Sequence, residues 1–323
     1  MPETPFITHS TLTAFADESV NLKREDAATY REQVNRLREK LEAYIKEHPD
    51  VGLVKMLLSG SLAKGLALKT LNDIDVAVYV DSTKVPNTEA ELLEWLATAL
   101  RKAYPQMAPA QISPGNHAVR ISFRGTGLDV DVVPVHYEGD PEDRGYLYAR
   151  DTGKRVLTSI PMHLQFTRKR KSQNPTHFAQ CVRFAKWWVA IQKRSFEEFR
   201  LKSFMSELIF ANLADHGLAL NDYPRALEGF FGCVVKSQMR QRISFTDYYS
   251  AKSLPAPTDA AIEIFDPVNA ENNVAADYTD QHRNAIAERA QDALEAIVEA
   301  RYATTKGRAE DLWREILGPS FRG

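Results

Sequence analysis

Apolar side chains between about residue 20 and residue 48 recur every three or four positions, with charged residues between them. They are Tyr30, Val34, Leu37, Leu41 and Ile45. An α-helix turns once every ~3.6 residues, so this spacing puts all of these side chains on one face. We therefore predict a long amphipathic helix over this segment.

Short apolar runs replace this pattern between residue 51 and about residue 160. The runs "VGLVKMLL", "IDVAVYV", "HAVRISF" and "LDVDVVPV" are typical of β-strands, whereas "TEAELLEWLATALRKAY" has helical spacing. "RGTG" separates the last two strand patterns, and its glycines suit a tight turn. These patterns predict strands mixed with helices and an antiparallel hairpin at the end, with Tyr79 and Phe123 in the core of the strands.

Helical patterns dominate after about residue 160. "HFAQCVRFAKWWVAIQKR", "LKSFMSELIFANLADHG" and "RNAIAERAQDALEAIVEARYA" have the helical period, and Gly217 marks the end of the second helix. We therefore predict an α+β fold with two lobes, a mixed or antiparallel sheet with helices in residues 1–160 and a helical lobe in residues 161–323. The expected exposed connections are residues 168–175, 251–260 and 266–276.

Composition narrows the class of protein. Of the 323 residues, 44% are hydrophobic and 26% are charged, as in globular proteins. No apolar run approaches the ~20 residues that span a bilayer, and "MPETPFITHS" lacks the order of a signal peptide, so we expect a cytoplasmic protein without a membrane partner. The net charge of −2 gives no overall attraction to nucleic acid. Cys181 and Cys233 are predicted to be buried thiols, and the histidines show no zinc-ligand spacing.

Two pairs of aspartates interrupt the strand patterns. Asp73 and Asp75 lie in "NDIDVAVYV", and Asp129 and Asp131 lie in "LDVDVVP". Residues two apart on a strand share a face, so each pair of carboxylates repels unless a cation lies between them. Asp73 alone is also typical of a turn or helix cap. Together with Asp131 from a second strand, however, the pair predicts a site for two Mg²⁺ ions.

A Gly-Ser turn precedes the first aspartate pair. Gly60 and Ser61 follow the first strand pattern directly and open a short helical stretch, "SLAKGLAL". Gly60 permits a close approach, and the backbone N–H and hydroxyl of Ser61 can then face a phosphate. A lone Gly-Ser pair carries no information, but one followed by "DID" and then "DVD" in strands predicts a nucleotide site.

The pattern "GSLAKG…NDIDV…LDVDVVP" resembles the polymerase-β-like nucleotidyltransferases. Together with "CVRFAKWW", "RLKSFMSELI" and "IFDPVNAENNVA", the chain is similar to the cGAS/DncV-like bacterial nucleotidyltransferases (CD-NTases), relatives of oligoadenylate synthase. The resemblance extends from the first long helix to about residue 300. It implies a nucleotidyltransferase lobe with a long N-terminal helix, and a helical lobe that closes over the nucleotide cleft.

The resemblance also implies roles for individual residues. Asp73, Asp75 and Asp131 would hold two Mg²⁺ ions, with Mn²⁺ as a possible substitute, and Asp131 would also act on the attacking hydroxyl. Gly60 and Ser61 would bind the triphosphate.

Further phosphate contacts are implied for Lys186 and Ser203 on two helices. The chain departs from the family at Leu66, where many members carry a threonine after the glycine that is Gly65 here.

The activity implied by the resemblance is the joining of ATP, or other NTPs, into a cyclic di- or trinucleotide second messenger for anti-phage signalling. Cyclic tri-AMP is the first specific prediction, and an activating protein or nucleic acid is an expected partner. Two alternatives stay open: a transferase that extends RNA or tRNA ends, and a catalytically silent nucleotide-binding partner. The near-neutral charge disfavours the first, since RNA substrates need a basic surface. The intact aspartates disfavour the second.

Three further features have two interpretations each. Asn272 and Asn273 either contact a base or stabilise a turn. The basic run "RKRK" at residues 168–171 either binds nucleic acid or the acidic face of a partner, or is a solvated loop at the lobe junction. Trp187 and Trp188 either stack on a base or belong to the core.

Overall fold

The computed structural model describes residues 5–71, 73–125, 127–148 and 153–323, and they divide into two compact units. One unit is Leu22–Thr167; the other comprises the chain up to Asn21 together with Arg168–Gly323. The prediction assigned residues 1–160 to one lobe, whereas the first helix, α1 (His9–Phe15), belongs to the unit that contains Arg168–Gly323. The ring of Phe15 lies 6.2 Å from that of Trp187 and 5.1 Å from that of Phe321.

The unit Leu22–Thr167 contains the predicted sheet. Its helices are α2 (Arg24–Glu47), α3 (Gly60–Lys64), α4 (Glu89–Ala103) and most of α5 (Ile160–Gln173). Its strands are β1 (Leu53–Leu58), β2 (Asp73–Asp81), β3 (Ile112–Pro114), β4 (Val119–Ser122), β5 (Asp129–Tyr137), β6 (Gly145–Tyr148) and β7 (Arg155–Thr158). The α+β prediction is confirmed.

The sheet is mixed, with the order β1-β2-β5-β4-β3 and with β6 and β7 continuing from β5. β2 and β5 run parallel, while β1, β4 and β6 pair antiparallel with their neighbours. The predicted hairpin is formed by β4 and β5, where Phe123 N–H donates to the Leu128 carbonyl over 2.9 Å. Thr126 of the predicted turn, like Asn72 before β2, lies outside the described residues.

The two faces of β2 have different neighbours. Ile74, Val76, Val78 and Val80 are buried and join one core with apolar residues of α2 and α4. The other face carries a small cluster of Ala77, Tyr79 and Val135, which confirms Tyr79 as a core residue. Asp73 and Asp75 lie on this second face, at the start of the strand and exposed, so they do not disturb the main core.

The second unit is helical. Its longer helices are α6 (His177–Ser195), α7 (Ser203–Asp215), α8 (Tyr223–Ser237), α9 (Asp280–Arg301) and α10 (Lys306–Leu317). Gly217 follows α7 with a φ of +89°, as its predicted role at the helix end requires. Trp188 is 1% exposed, and the Trp187 indole N–H donates to the Leu317 carbonyl over 2.8 Å. Both tryptophans therefore belong to the core.

The basic run at residues 168–171 corrects one prediction. The run is helical, as part of α5, and not a loop, while Arg168 and Lys169 are exposed as predicted. Arg170 is 1% exposed, and its guanidinium contacts the carboxylates of Asp215 and Asp247 at 2.5 and 2.9 Å. The acidic partners are distant in sequence, which is why the four basic residues resembled a solvated segment. In the described ranges, no helix combines the length and apolarity that crossing a bilayer requires.

Candidate active site

Strand pairing brings the two aspartate pairs together. In the parallel register of β2 and β5, Asp73 lies opposite Asp129 and Asp75 lies opposite Asp131. Neighbouring strands are about 4.8 Å apart, so the four side chains project side by side from one face of the sheet. We call these four residues the carboxylate cluster. The alternation in each strand predicted which residues share a face, and the register supplies their pairing.

The turn after β1 lies against this cluster. Because β1 and β2 are antiparallel, the end of β1 meets the start of β2, and the Ser59 N–H donates to the Asp75 carbonyl over 2.9 Å. Gly60 has a φ of +62°, and a Cβ there would lie 1.9 Å from Asp75 Oδ2. Only glycine fits this position. Ser61 follows in the first turn of α3, half-buried.

Leu66 accounts for the departure from the family pattern in structural terms. Its side chain is 1% exposed, and its N–H donates to the Ser61 carbonyl over 2.8 Å. The position is thus filled by a core residue, and its side chain is not offered to a ligand.

Arg120 on β4 is a cation in contact with the carboxylate cluster, and the sequence analysis did not single it out. Its Nε and Nη2 donate to the two oxygens of Asp131 over 2.9 and 3.2 Å. Its Nη1 lies 3.6 Å from Asp129 Oδ2, and its Nη2 lies 4.0 Å from Asp73 Oδ1. The hydrogen bond to Asp131, followed by the charge of Asp131, raises the pKa of Arg120 above its ordinary value.

The donor set of the cluster fits Mg²⁺. Carboxylate oxygens are the ligands this hard cation prefers, and Arg120 shows that a cation placed here meets three carboxylates. Among the described residues, no three Asp, Glu, His or Cys side chains already surround one point closely enough to hold a metal ion. Convergence on an ion therefore requires the side chains of the cluster to rotate.

The remaining predicted phosphate contacts lie in the helical unit. Lys186 is half-buried on α6, and Ser203 is the exposed first residue of α7. No side-chain hydrogen bond caps the N-terminus of α7, whose first N–H groups favour an anion.

Two further basic residues precede Ser203 and were not predicted. Lys202 donates to Asp277 Oδ1 over 2.7 Å, and Arg200 pairs with the same carboxylate. Burial alone would raise the pKa of Asp277, but the hydrogen bonds and charges of Lys202 and Arg200 outweigh it and lower this pKa. The signal in the sequence was the two basic residues of "RLK" at the start of the predicted helical pattern. Arg200 and Lys202 therefore place two basic side chains directly before α7.

The Asn-rich segment is held by its own side chains. Asn273 Oδ1 accepts from the N–H groups of Ile264 and Ala275 over 3.1 and 3.0 Å, and its Nδ2 donates to the Ile262 carbonyl over 2.8 Å. Asn272 Nδ2 donates to Asp266 Oδ2 over 3.2 Å. These bonds favour the structural interpretation of both asparagines. A base contact from Asn273 would have to use its one remaining amide hydrogen.

Comparison with known proteins agrees with the geometry. The nucleotidyltransferase domain model matches residues 35–105, which include the Gly-Ser turn and the first aspartate pair. The chain is 47% identical over 320 residues, 99% of both chains, to the cyclic AMP-AMP-AMP synthase of Escherichia coli strain MS 115-1. It is 30% identical over 321 residues, 98% of both, to the CBASS oligonucleotide cyclase CdnC of strain KTE188. The chain belongs to the CD-NTase family.

Solved structures of a CD-NTase have the same fold along the whole chain. The structure of E. coli MS115-1 CdnC with ATP aligns with a TM-score of 0.95 at 46% identity, covering 98% of this chain and 100% of that one. The same protein in complex with HORMA-deltaN aligns with a TM-score of 0.94 at 46% identity, covering 98% and 99%. The chain is thus a nucleotidyltransferase, as the aspartate pattern predicted.

Proposed function

We propose that this CD-NTase joins three molecules of ATP into cyclic tri-AMP, as a signal in cytoplasmic anti-phage defence. The single observation that carries the proposal is the carboxylate cluster in register on β2 and β5. It occurs in a chain that is 47% identical to a cyclic AMP-AMP-AMP synthase. The identity extends over 99% of both chains, so it includes both structural units.

Asp73, Asp75 and Asp131 are the residues that would hold Mg²⁺. When bound, two such ions would supply positive charge for the reacting phosphate and for the departing pyrophosphate. Mn²⁺ prefers the same ligands and is expected to substitute.

In each transfer, a ribose hydroxyl oxygen forms a bond to the α-phosphorus of an ATP, and the bond between that phosphorus and the β-phosphate oxygen breaks. Asp131 orients the attacking hydroxyl and receives its proton, and pyrophosphate leaves. Two transfers give a linear trimer, and a third within the same molecule closes the ring. The protein contributes mainly by positioning the groups and stabilising charge.

The triphosphate is held by backbone and side-chain donors. Ser61 offers its hydroxyl and N–H in the first turn of α3, directly after Gly60, whose backbone lies against the Asp75 carboxylate. Lys186 and Ser203 are proposed as further phosphate contacts. The uncapped N-terminus of α7 and the neighbouring Lys202 support this role for Ser203.

A protein partner is proposed to activate the enzyme. The relative CdnC was solved in complex with HORMA-deltaN, and this chain aligns with that structure over 98% of its length. Nucleic acid is the other predicted activator. Lys169 and Arg170 are paired with Asp247, so a nucleic acid that contacts the basic run at residues 168–171 would compete with these ion pairs.

The test is to incubate the pure protein with labelled NTPs, singly and together, with Mg²⁺ or Mn²⁺ and with or without a HORMA-domain partner. Phosphatase treatment then distinguishes cyclic from linear products. We expect a phosphatase-resistant product from ATP alone, absent with Asp73→Asn but present with Asp50→Asn, an exposed aspartate of the same unit. Extension only of added RNA would support the RNA transferase instead, and no product in any combination would support the silent partner.

A further inference from the structure

We propose that Arg120 is a displaceable cation of the carboxylate cluster: it offsets part of the negative charge before a divalent metal binds, and it competes with that metal for Asp131. The inference rests on the metal site of the proposed function. It assigns to Arg120 a positioning role that determines how tightly the metal binds.

The geometry of β4 places Arg120 over the cluster. In the antiparallel register of β4 and β5, Arg120 lies opposite Asp131 and Ser122 lies opposite Asp129. The guanidinium occupies both oxygens of Asp131 and also contacts Asp129 and Asp73. A metal ion bound to an oxygen of Asp131 would lie close to this guanidinium, and the two positive charges would repel, so the metal and Arg120 compete for the same carboxylate.

The ion pair between Arg120 and Asp131 is exposed enough for a metal ion to replace the guanidinium. The side chain of Arg120 is 47% exposed, and those of Asp131 and Asp129 are 25% and 30% exposed. Exposed charge pairs are weak, so the guanidinium can leave Asp131 without a large loss of stability. Asp129 lies on the same strand, two residues from Asp131, and can retain Arg120 once the metal has taken its other partner. Retaining Arg120 is thus the function of Asp129, the one aspartate of the cluster that is not a proposed metal ligand.

Arg120 stabilises the carboxylate cluster when no metal is bound, but it opposes the binding of a metal. Without a cation, four neighbouring carboxylates repel each other and destabilise the starts of β2 and β5. Arg120 relieves this repulsion when no metal is bound. Once a metal supplies the charge, the bonds of Arg120 to the same oxygens oppose binding. The coupling between the two cations is therefore negative, and we expect it to be about tenfold in affinity.

The experiment measures Mn²⁺ binding by electron paramagnetic resonance, with the full chain and without nucleotide. The variants are Arg120→Gln, which removes the guanidinium, and Arg120→Lys, which keeps the charge but loses the two-point contact with Asp131. Arg124→Gln is the matched control, because Arg124 is exposed in the turn of the same hairpin and its loss changes the net charge equally. Melting temperatures are measured for each protein in EDTA and in Mn²⁺.

We expect R120Q to bind Mn²⁺ about tenfold more tightly than the wild type, R120K to be intermediate, and R124Q to be unchanged. R120Q should also melt lower than the wild type in EDTA and show the larger increase with Mn²⁺. Equal or weaker binding by R120Q would overturn the proposal. So would a decrease in melting temperature that is the same with and without Mn²⁺, since a purely structural role predicts that result.

A failure of the metal site itself gives a different result. Asp131→Asn should weaken Mn²⁺ binding in both the wild-type and the R120Q background. If it leaves binding unchanged in both, the aspartates do not hold the metal and the inference falls together with that part of the proposed function. If it weakens binding while R120Q does not strengthen it, only the role of Arg120 is wrong.

Discussion

Gly60 lies where the backbone after β1 comes closest to Asp75. Its φ of +62° is unfavourable for other residues, and an added Cβ would lie 1.9 Å from the Asp75 carboxylate. We expect Gly60→Ala to lower the free energy of unfolding by about 1–3 kcal/mol through backbone strain. Because Asp75 must also move, the rate of nucleotide joining should fall by about 10²-fold. Urea unfolding and initial rates of product formation measure the two effects.

Gly127 provides the matched control for that substitution. Its φ is +66°, but a Cβ there would meet no atom of the other described residues within 4 Å. Gly127→Ala should therefore show a comparable backbone effect of about 1–2 kcal/mol and retain most of the activity. Equal activity losses in the two variants would contradict the close approach of Gly60 to Asp75.

His136 on β5 makes the stability pH-dependent. It is 1% exposed, and neither ring nitrogen meets a hydrogen-bond partner among the described residues. Burial, followed by the charge of Arg155, lowers its pKa from the ordinary value of 6.5. The unfolded chain then binds the proton more readily, so stability is lost as the pH falls below about 6.5 and on through the folded-state pKa.

As the pH falls through that range, protonation of His136 should lower the wild-type free energy of unfolding by up to about 1.4 kcal/mol per pH unit. His136→Met should remove this part of the slope, whereas His48→Met, at an exposed position, should not. Urea unfolding between pH 7 and pH 5 is the measurement. The same slope in H136M and the wild type would show that His136 titrates normally in the fold.

Among individual residues, the sequence predicted the aspartates of the site but not Arg120, which contacts them. Asp75 and Asp131 stand out because a carboxylate between strand valines is costly without a cation. Arg120 occupies a polar position in "HAVRISF", and an arginine at such a position is ordinary on an exposed strand face. Only the register of β4 against β5 shows that it lies opposite Asp131.

Among the elements, α5 is stabilised by a charge cluster within the helical unit. Arg170 of this helix is 2% exposed in its side chain, and its partner Asp247 is 8% exposed. Lys169 contacts the same carboxylate at 2.9 Å. Removing Asp247 takes a buried carboxylate away from a buried guanidinium, whose other carboxylate contact, Asp215, is partly exposed. Breaking a buried ion pair in this way destabilises a protein more than the loss of a surface ion pair does.

We therefore expect Asp247→Asn to lower the free energy of unfolding by about 3 kcal/mol. Asp311→Asn removes an ion pair whose aspartate is 61% exposed, and should change stability by less than about 1 kcal/mol. Chemical denaturation of both variants provides the measurement. Equal losses in the two variants would mean that Arg170 does not depend on Asp247.

Elements with a clear apolar period were predictable, and those determined by distant partners were not. The alternation in β2 and the hairpin of β4 and β5 follow from local pattern and turn residues. The helical form of residues 168–173 was missed, since its four basic residues resemble a solvated segment and the pairing with Asp247 lies 77 positions away. The short strands β6 and β7 were not predicted either, because four-residue strands carry little alternation.

On the scale of the whole molecule, the α+β class and the helical second half were predictable from the change of period near residue 160. The membership of the chain up to Asn21 in the helical unit was not. It depends on contacts such as that of Phe15 with Phe321, which no local pattern reveals. The family resemblance reached the same enzyme class from a few motifs, and the comparison with known cyclases supports it over nearly the full chain.

We propose above all that the enzyme uses the carboxylate cluster to make cyclic tri-AMP from ATP. The most direct measurement is mass spectrometry of the phosphatase-resistant product formed from ATP by the wild type, Asp75→Asn and Asp131→Asn, with folding checked by circular dichroism. We predict cyclic tri-AMP from the wild type and none from either folded variant. The same product from a variant, or only linear oligonucleotides from the wild type, would contradict the account.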